Sequence, residues 1–256
     1  MVAQPLDGNL ASARADFQRD GFVVLRQFLS PNELSDLKAH LDRYIREVTP
    51  RIPPTDVMYE DKSNPETLKQ LARIKMHDGY FANLITSEKW KGLAELLLDD
   101  DIIPLELEWF NKPPRVGKPT PPHQDGYYFM LEPNEAVTMW LALDDVDESN
   151  GCMRYIAGSH RTGMRSHART QVLGFSQGIS DYSDADRAAE IPLAAKPGDL
   201  LAHHSLTIHR ADANPSSRHR RSLGFVYFSA RARQNKEQLA SYQEKLYKEL
   251  EAAKKI

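Results

Sequence analysis

His123 and Asp125 stand two residues apart. An imidazole and a carboxylate on one side of an extended chain are two of the three ligands of the facial triad with which non-haem Fe(II) oxygenases hold iron, leaving the other octahedral positions open. The pattern proves little by itself in a chain with nine histidines, and His40-Leu41-Asp42 repeats it. That copy sits in a predicted helix. Ser30-Pro31-Asn32-Glu33 reads as a capping box with proline in the first turn, and Leu34, Leu37, Leu41, Tyr44, Ile45 and Val48 follow at helical spacing. Residues two apart on a helix diverge by about 200°, so His40 and Asp42 cannot share an ion. Thr120-Pro121-Pro122, in contrast, excludes a helix before His123, and Tyr127, Tyr128 and Phe129 favour a strand or an extended turn after Asp125.

A third ligand must come from elsewhere. His203, His204 and His209 lie in a β-rich stretch after the turn signal Lys196-Pro197-Gly198-Asp199. Only His209 is followed by a fitting partner. Beyond it the chain turns through Asn214-Pro215-Ser216-Ser217 into the apolar run 223–228, which places Arg220 and Ser222 on one face of the next antiparallel strand. Arginine fixes a carboxylate bidentately, and a neighbouring hydroxyl adds a hydrogen bond. His203, His204, His160 and His167 read as core histidines, with a place beside the metal ligands left open for His204.

In this order and spacing the residues resemble the phytanoyl-CoA dioxygenase family of Fe(II)- and 2-oxoglutarate-dependent oxygenases. The likeness begins at Phe17-x-x-Asp20-Gly21-Phe22-x-Val24-Leu25-x-x-Phe28-Leu29 and continues through Asn111-Lys112-Pro113-Pro114 and His123-Gln124-Asp125. Asn150-Gly151-Cys152 and Gly158-Ser159-His160 follow, and His204-x-x-x-x-His209 with the eleven-residue step to Arg220 closes a match over roughly 17–230. The resemblance implies that His123, Asp125 and His209 bind Fe(II) and that Arg220, helped by Ser222, grips the far carboxylate of 2-oxoglutarate. It implies a reaction with O2 that releases succinate and CO2 and hydroxylates a substrate. Related halogenases replace the carboxylate of Asp125 by a small residue, so its presence favours hydroxylation. Lys112 occupies a family position near the cosubstrate, but lysine in a proline-flanked loop is equally well read as solvated.

These residues need elements to hold them. Helices are expected from Ser30, from Asn64-Pro65-Glu66 and from Ser87, the last with Trp90, Leu93, Leu96 and Leu97 on one side. Strand-like runs follow at 105–110, 127–131, 137–143, 153–156, 200–204 and 223–228, which indicates a sandwich or barrel. The resemblance specifies a mainly β fold with flanking helices around a double-stranded β-helix, the cupin-like jelly roll. One domain spans 1–256 on this reading, with a helical N-terminal part at about 10–100, a core at about 103–230 and a C-terminal helix at about 236–254. That helix, with Leu239, Tyr242, Leu246 and Leu250 on one face, is expected to pack on the outer sheet.

Composition agrees with one enzyme domain, because 256 residues with 41% hydrophobic residues can bury a sizeable core. Cys152 is the only cysteine, which rules out an intramolecular disulfide and a thiolate zinc site. A formal charge of −3 with no basic aromatic stripe argues against nucleic acid. No stretch approaches the ~18 apolar residues of a spanning helix, and charged residues early in the chain argue against a secretory signal. A cytoplasmic monomer or homodimer acting on a small or medium-sized polar metabolite is therefore expected. The alternative is a non-oxidative cupin-like metal protein, an isomerase or ligand sensor, for which the carboxylate clamp at Arg220 has no use. Two features stay open. Arg161, Arg165, His167 and Arg169 in 158–178 either meet an anionic substrate or form a solvated basic loop, and one of Tyr127 and Tyr128 can wall the pocket.

Overall fold

The structure, a computed structural model, describes residues 7–172 and 175–252. Its strands are β1 (Phe22–Leu25), β2 (Val57–Tyr59), β3 (Leu68–Leu71), β4 (Ile102–Lys112) and β5 (Thr120–His123). Then come β6 (Leu131–Glu132), β7 (Ala136–Ala142), β8 (Met153–Ile156), β9 (His167–Val172) and β10 (Phe175–Ile179). The last are β11 (Glu190–Leu193), β12 (Leu200–His204), β13 (His209–Ala211), β14 (Arg220–Ser229) and β15 (Arg233–Gln234). The helices are α1 (Asp7–Asp20), α2 (Pro31–Arg43), α3 (Ile74–His77), α4 (Gly79–Thr86), α5 (Glu88–Leu98), α6 (Gly126–Phe129), α7 (Asp184–Ala188) and α8 (Lys236–Ala252).

Two antiparallel sheets face each other as a jelly roll with helices outside. The major sheet runs β1-β12-β7-β14-β4-β3-β2 and the minor sheet β11-β8-β13-β5. The hairpin β9–β10 extends the minor side, where Gly178 packs on Pro121 and Pro122. Alternation along β14 explains the layering. Leu223, Phe225 and Tyr227 point outward into a core shared with Leu107, Trp109, Met139 and Leu141 and roofed by helices. Trp90 of α5 stacks on Phe225 at 3.7 Å. Burying each such side chain contributes roughly 1.5–3 kcal/mol. Arg220, Ser222 and Gly224 alternate to the opposite face and look into the space between the sheets.

The capping box at Ser30 forms, with the Ser30 hydroxyl accepting from the Glu33 amide and the Glu33 carboxylate accepting from the Ser30 amide at 2.8 Å. His40 of α2 stacks on Tyr80 of α4 and is not part of the His123, Asp125 and His209 group. Three sequence expectations are corrected. Asn64-Pro65-Glu66 starts only a 3-10 turn, after which 68–71 pairs into the major sheet as β3. The run 127–131 is not a strand, since Gly126–Phe129 forms the single turn α6. Helix α8 does not lie on the outer sheet: Tyr242 bonds Ser176 of β10 at 2.5 Å and meets the Tyr128 ring, placing the helix at the rim of the inter-sheet space. The Leu250 side chain and Lys254, both assigned to this helix from sequence, lie outside the described residues. No helix among the described residues is long and apolar enough to cross a membrane.

Candidate active site

The minor sheet brings the first three residues together. His209 opens β13 directly opposite His123, which closes β5. Asp125 follows in helical backbone geometry at the head of α6, so the chain turns there and swings the carboxylate back between the two imidazoles. One ligand atom from each of His123, Asp125 and His209 lies within 4.8 Å of the others. Asp125 Oδ1 is 3.3 Å from His123 Nε2 and 3.6 Å from His209 Nε2.

The surroundings decide which atoms can coordinate. Nδ1 of His123 is 2.8 Å from the Pro121 carbonyl and Nδ1 of His209 is 2.9 Å from the Thr207 carbonyl. A carbonyl only accepts, so each Nδ1 carries a proton, and in the neutral tautomer this selects it is Nε2 whose lone pair faces the shared space. Asp125 Oδ2 accepts from the Thr138 hydroxyl at 2.6 Å and from His203 Nε2 at 3.0 Å, which leaves Oδ1 for a metal. His203 Nδ1 in turn faces the Tyr155 hydroxyl at 3.0 Å, which therefore donates to it. His203 and Thr138 are register partners on β12 and β7. Burial works against the Asp125 charge, but His209, His123 and His203, to the extent that they carry protons toward it, hold the carboxyl well below the usual carboxylate range. Burial, then the neighbouring His123 and His203, push His209 well below the ordinary histidine value, in the neutral form that a metal needs.

Sequence reasoning missed His203. Its ring reaches Asp125, whereas the side chain of the adjacent His204 lies among Phe17 and His160, with Nδ1 accepting from the Leu206 amide. Gln124, the middle residue of the triplet, is fully buried and donates to the Gly163 and Leu206 carbonyls, locking the turn.

Arg220 and Ser222 come from the opposite, major sheet. The strand after His209 does not pair with it, because the chain crosses between sheets through 212–219 and β14 runs between β7 and β4. Arg220 is only 4% exposed, and its guanidinium lies 5.2 Å from the Trp140 ring. Its Nε and the Ser222 hydroxyl are buried without a hydrogen-bond partner, and Arg220 forms no ion pair among the described residues. Burial brings its pKa down to about 10. A buried cation beside an unpaired hydroxyl is costly unless an anion joins them. Lys112, register partner of Arg220 on β4, is buried rather than solvated, its Nζ donating to the Lys118 carbonyl at 2.5 Å and to Thr120 at 3.2 Å. Burial, then the Arg220 charge, depress its pKa strongly. Arg220, Trp140 and Lys112 line one cavity of about 90 Å³ with His123, Asp125 and His209, partly open to solvent.

The basic loop is largely committed. Arg165 pairs with Asp181 and Asp186, and His167 accepts from the Gln124 amide while stacking on Tyr127 at 4.5 Å. Tyr128 donates to the Gln177 carbonyl. On the far side of the space, Glu106 and Glu108 continue the inward face of β4. Burial, then the Glu106 charge, push the Glu108 carboxyl up to about 8.

Comparison with known proteins gives the family and the fold. The sequence model of a family described as "Phytanoyl-CoA dioxygenase (PhyH)" matches residues 17–222. The peroxisomal phytanoyl-CoA dioxygenase of Mus musculus is 26% identical over 243 residues, 88% of this chain and 70% of that protein. A probable alpha-ketoglutarate-dependent hypophosphite dioxygenase of Stutzerimonas stutzeri is 26% identical over 87% of this chain and 79% of its own. Among solved structures, the epimerase SnoN from nogalamycin biosynthesis, in complex with Fe3+, alpha ketoglutarate and nogalamycin RO, superposes with a TM-score of 0.70 at 24% identity, covering 88% of this chain and 85% of SnoN. EvdO2 of Micromonospora carbonacea var. aurantiaca superposes at 0.71 and 24% identity, covering 91% and 94%. At such identities the superpositions establish a shared fold.

Proposed function

Because the chain belongs to the phytanoyl-CoA dioxygenase family, we propose that it is an Fe(II)- and 2-oxoglutarate-dependent dioxygenase that hydroxylates a small or medium-sized polar metabolite. His123, Asp125 and His209 hold the metal on this reading, and Arg220 with Ser222 holds the cosubstrate's distal carboxylate. Fe(II) with 2-oxoglutarate and O2 supplies an oxidant strong enough for an unactivated C–H bond, with succinate and CO2 as by-products.

One observation carries the reading: two imidazoles and the Asp125 carboxylate gathered at the end of one sheet face, across a cavity they line together, the buried Arg220 guanidinium of the other, whose Nε and neighbouring Ser222 hydroxyl have no partner. The donor set fits the two groups. Two Nε2 atoms and one carboxylate oxygen suit a divalent iron with open positions, and Arg220 supplies a planar fork for a carboxylate. The protein's own contribution is orientation. The Pro121 and Thr207 carbonyls fix the imidazole tautomers, Thr138 and His203 fix the carboxylate, and Trp140 supports the guanidinium. A non-oxidative metal protein needs the first half of this arrangement but not the second.

The test is anaerobic titration of apo protein with Fe(II) and then 2-oxoglutarate, followed by the weak visible charge-transfer band of the chelate. The parent should develop the band, and His209→Ala should lose it. Arg220→Ala should keep metal binding while its half-saturating 2-oxoglutarate concentration rises on the order of 100-fold, as expected for losing a buried charge-assisted pair. Bound metal with no band in the parent would return the protein to the non-oxidative reading.

A further inference from the structure

We infer that the substrate carries a cationic nitrogen group, an ammonium or guanidinium, held by Glu108 with Gln70 and Glu106 across the inter-sheet space from Asp125. The inference deepens the oxygenase reading above and rests on it.

Position comes first. Lys112 and Phe110 line the metal cavity, and Glu108 and Glu106 continue the same face of β4 by twos, ahead of the irregularity that follows Glu106. Cross-strand rows connect them to the metal centre: Glu108–Gly224–Trp140 and Glu106–Val226–Thr138. Thr138 is the residue that donates to Asp125. Two strand spacings separate the ends of each row, about 10 Å between backbones. Gly224 adds no side chain at the middle of the first row, where Phe110 packs instead, and Val226 stands at the middle of the second.

Chemistry comes second. Elsewhere buried carboxylates meet cations: Asp56 with Arg73, Glu60 with Lys69, Glu190 with Arg210. Glu106 and Glu108 form no ion pair among the described residues. The cations that act on Glu106 are committed, Lys75 to the Pro104 carbonyl and Arg73 to Asp56. Gln70 supplies an independent sign. Its amide nitrogen is 3.3 Å from Glu108 Oε2, while its Oε1 has no hydrogen-bond partner although the residue is 6% exposed. One oxygen of each carboxylate is already bonded, Glu106 Oε1 by the Leu107 amide and Glu108 Oε2 by Gln70, which leaves the second oxygen of each and the Gln70 amide oxygen as acceptors. An N–H-rich cation satisfies all of them, whereas an anionic group would be repelled and an alcohol would leave the charge unmatched. The upward-shifted Glu108 carboxyl fits a site whose counter-charge arrives with the ligand.

The test uses the Fe(II)-loaded full chain with 2-oxoglutarate, challenged with alkylamines, diamines and alkylguanidines of about three to six carbons, the reach set by the gap above, beside carboxylates and alcohols of the same length. Succinate release and perturbation of the charge-transfer band are followed. The cationic series alone should stimulate. In Glu108→Gln the half-saturating concentration should rise about 10- to 100-fold, with the Fe(II)–2-oxoglutarate band still formed, and in Gln70→Leu by less. Stimulation by carboxylates or alcohols as strong as by amines, no response to any cation, or an unaltered response in Glu108→Gln would each overturn the inference. Failure of the band in every form would overturn the oxygenase reading instead, and thermal-shift titration with the same amines would still decide the Glu108 site.

Discussion

Asp125 divides its two oxygens between tasks, Oδ2 to Thr138 and His203 and Oδ1 toward the imidazoles. His203→Ala should therefore leave all three ligands in place but weaken metal binding about 10- to 100-fold, measured by competition with a chelator, as is usual for groups that orient ligands. The grouping of His123, Asp125 and His209 was legible because two residue types two apart, a later histidine and an arginine–serine pair form an ordered set. His203 was not. Adjacent histidines on a strand face opposite sides, and the turn between His204 and His209 breaks the parity that would relate them. Lys112 was illegible for a related reason: its burial comes from register with Arg220, a cross-strand fact invisible in local composition.

Among the elements, the runs at 153–156 and 200–204 became β8 and β12 with the same bounds, since alternation and flanking turns agree there. The segment after Asp125 did not. Its aromatics favour strands, but Gly126 donates to the Ser205 carbonyl and Asn134 caps the turn at Gly126 O, so tertiary contacts impose α6. Asn150-Gly151-Cys152 finds its explanation at this scale. Gly151 adopts φ +83 as it enters β8, and a Cβ there would lie 2.4 Å from the Asp212 carbonyl oxygen in the crossing that leads to Arg220. Backbone cannot yield as a side chain can. Gly151→Ala should destabilise the fold by about 1–3 kcal/mol, read from the denaturation midpoint at unchanged m-value.

At the scale of the molecule, the rim is closed by a helix from the far end of the chain, with Tyr242 on Ser176 and Tyr247 reaching Arg73. Nothing local to 236–252 specifies that docking, because an amphipathic helix says only that one face is covered. The two sheets offer another consequence. On the proposed function His123, Asp125 and His209 would hold the metal at the end of the minor sheet and Arg220 the cosubstrate carboxylate from the major one, so a bound 2-oxoglutarate would tie the layers together. Thermodynamic linkage makes this measurable. A ligand at ~100 times its dissociation constant adds about 2.7 kcal/mol to the stability of the state it binds. Cosubstrate should raise the thermal midpoint substantially with Fe(II) present and little without it. In Arg220→Ala that synergy should vanish while the shift due to metal alone survives. On the proposed function the cosubstrate would act as a reversible cross-link between the two layers, present only while it is bound.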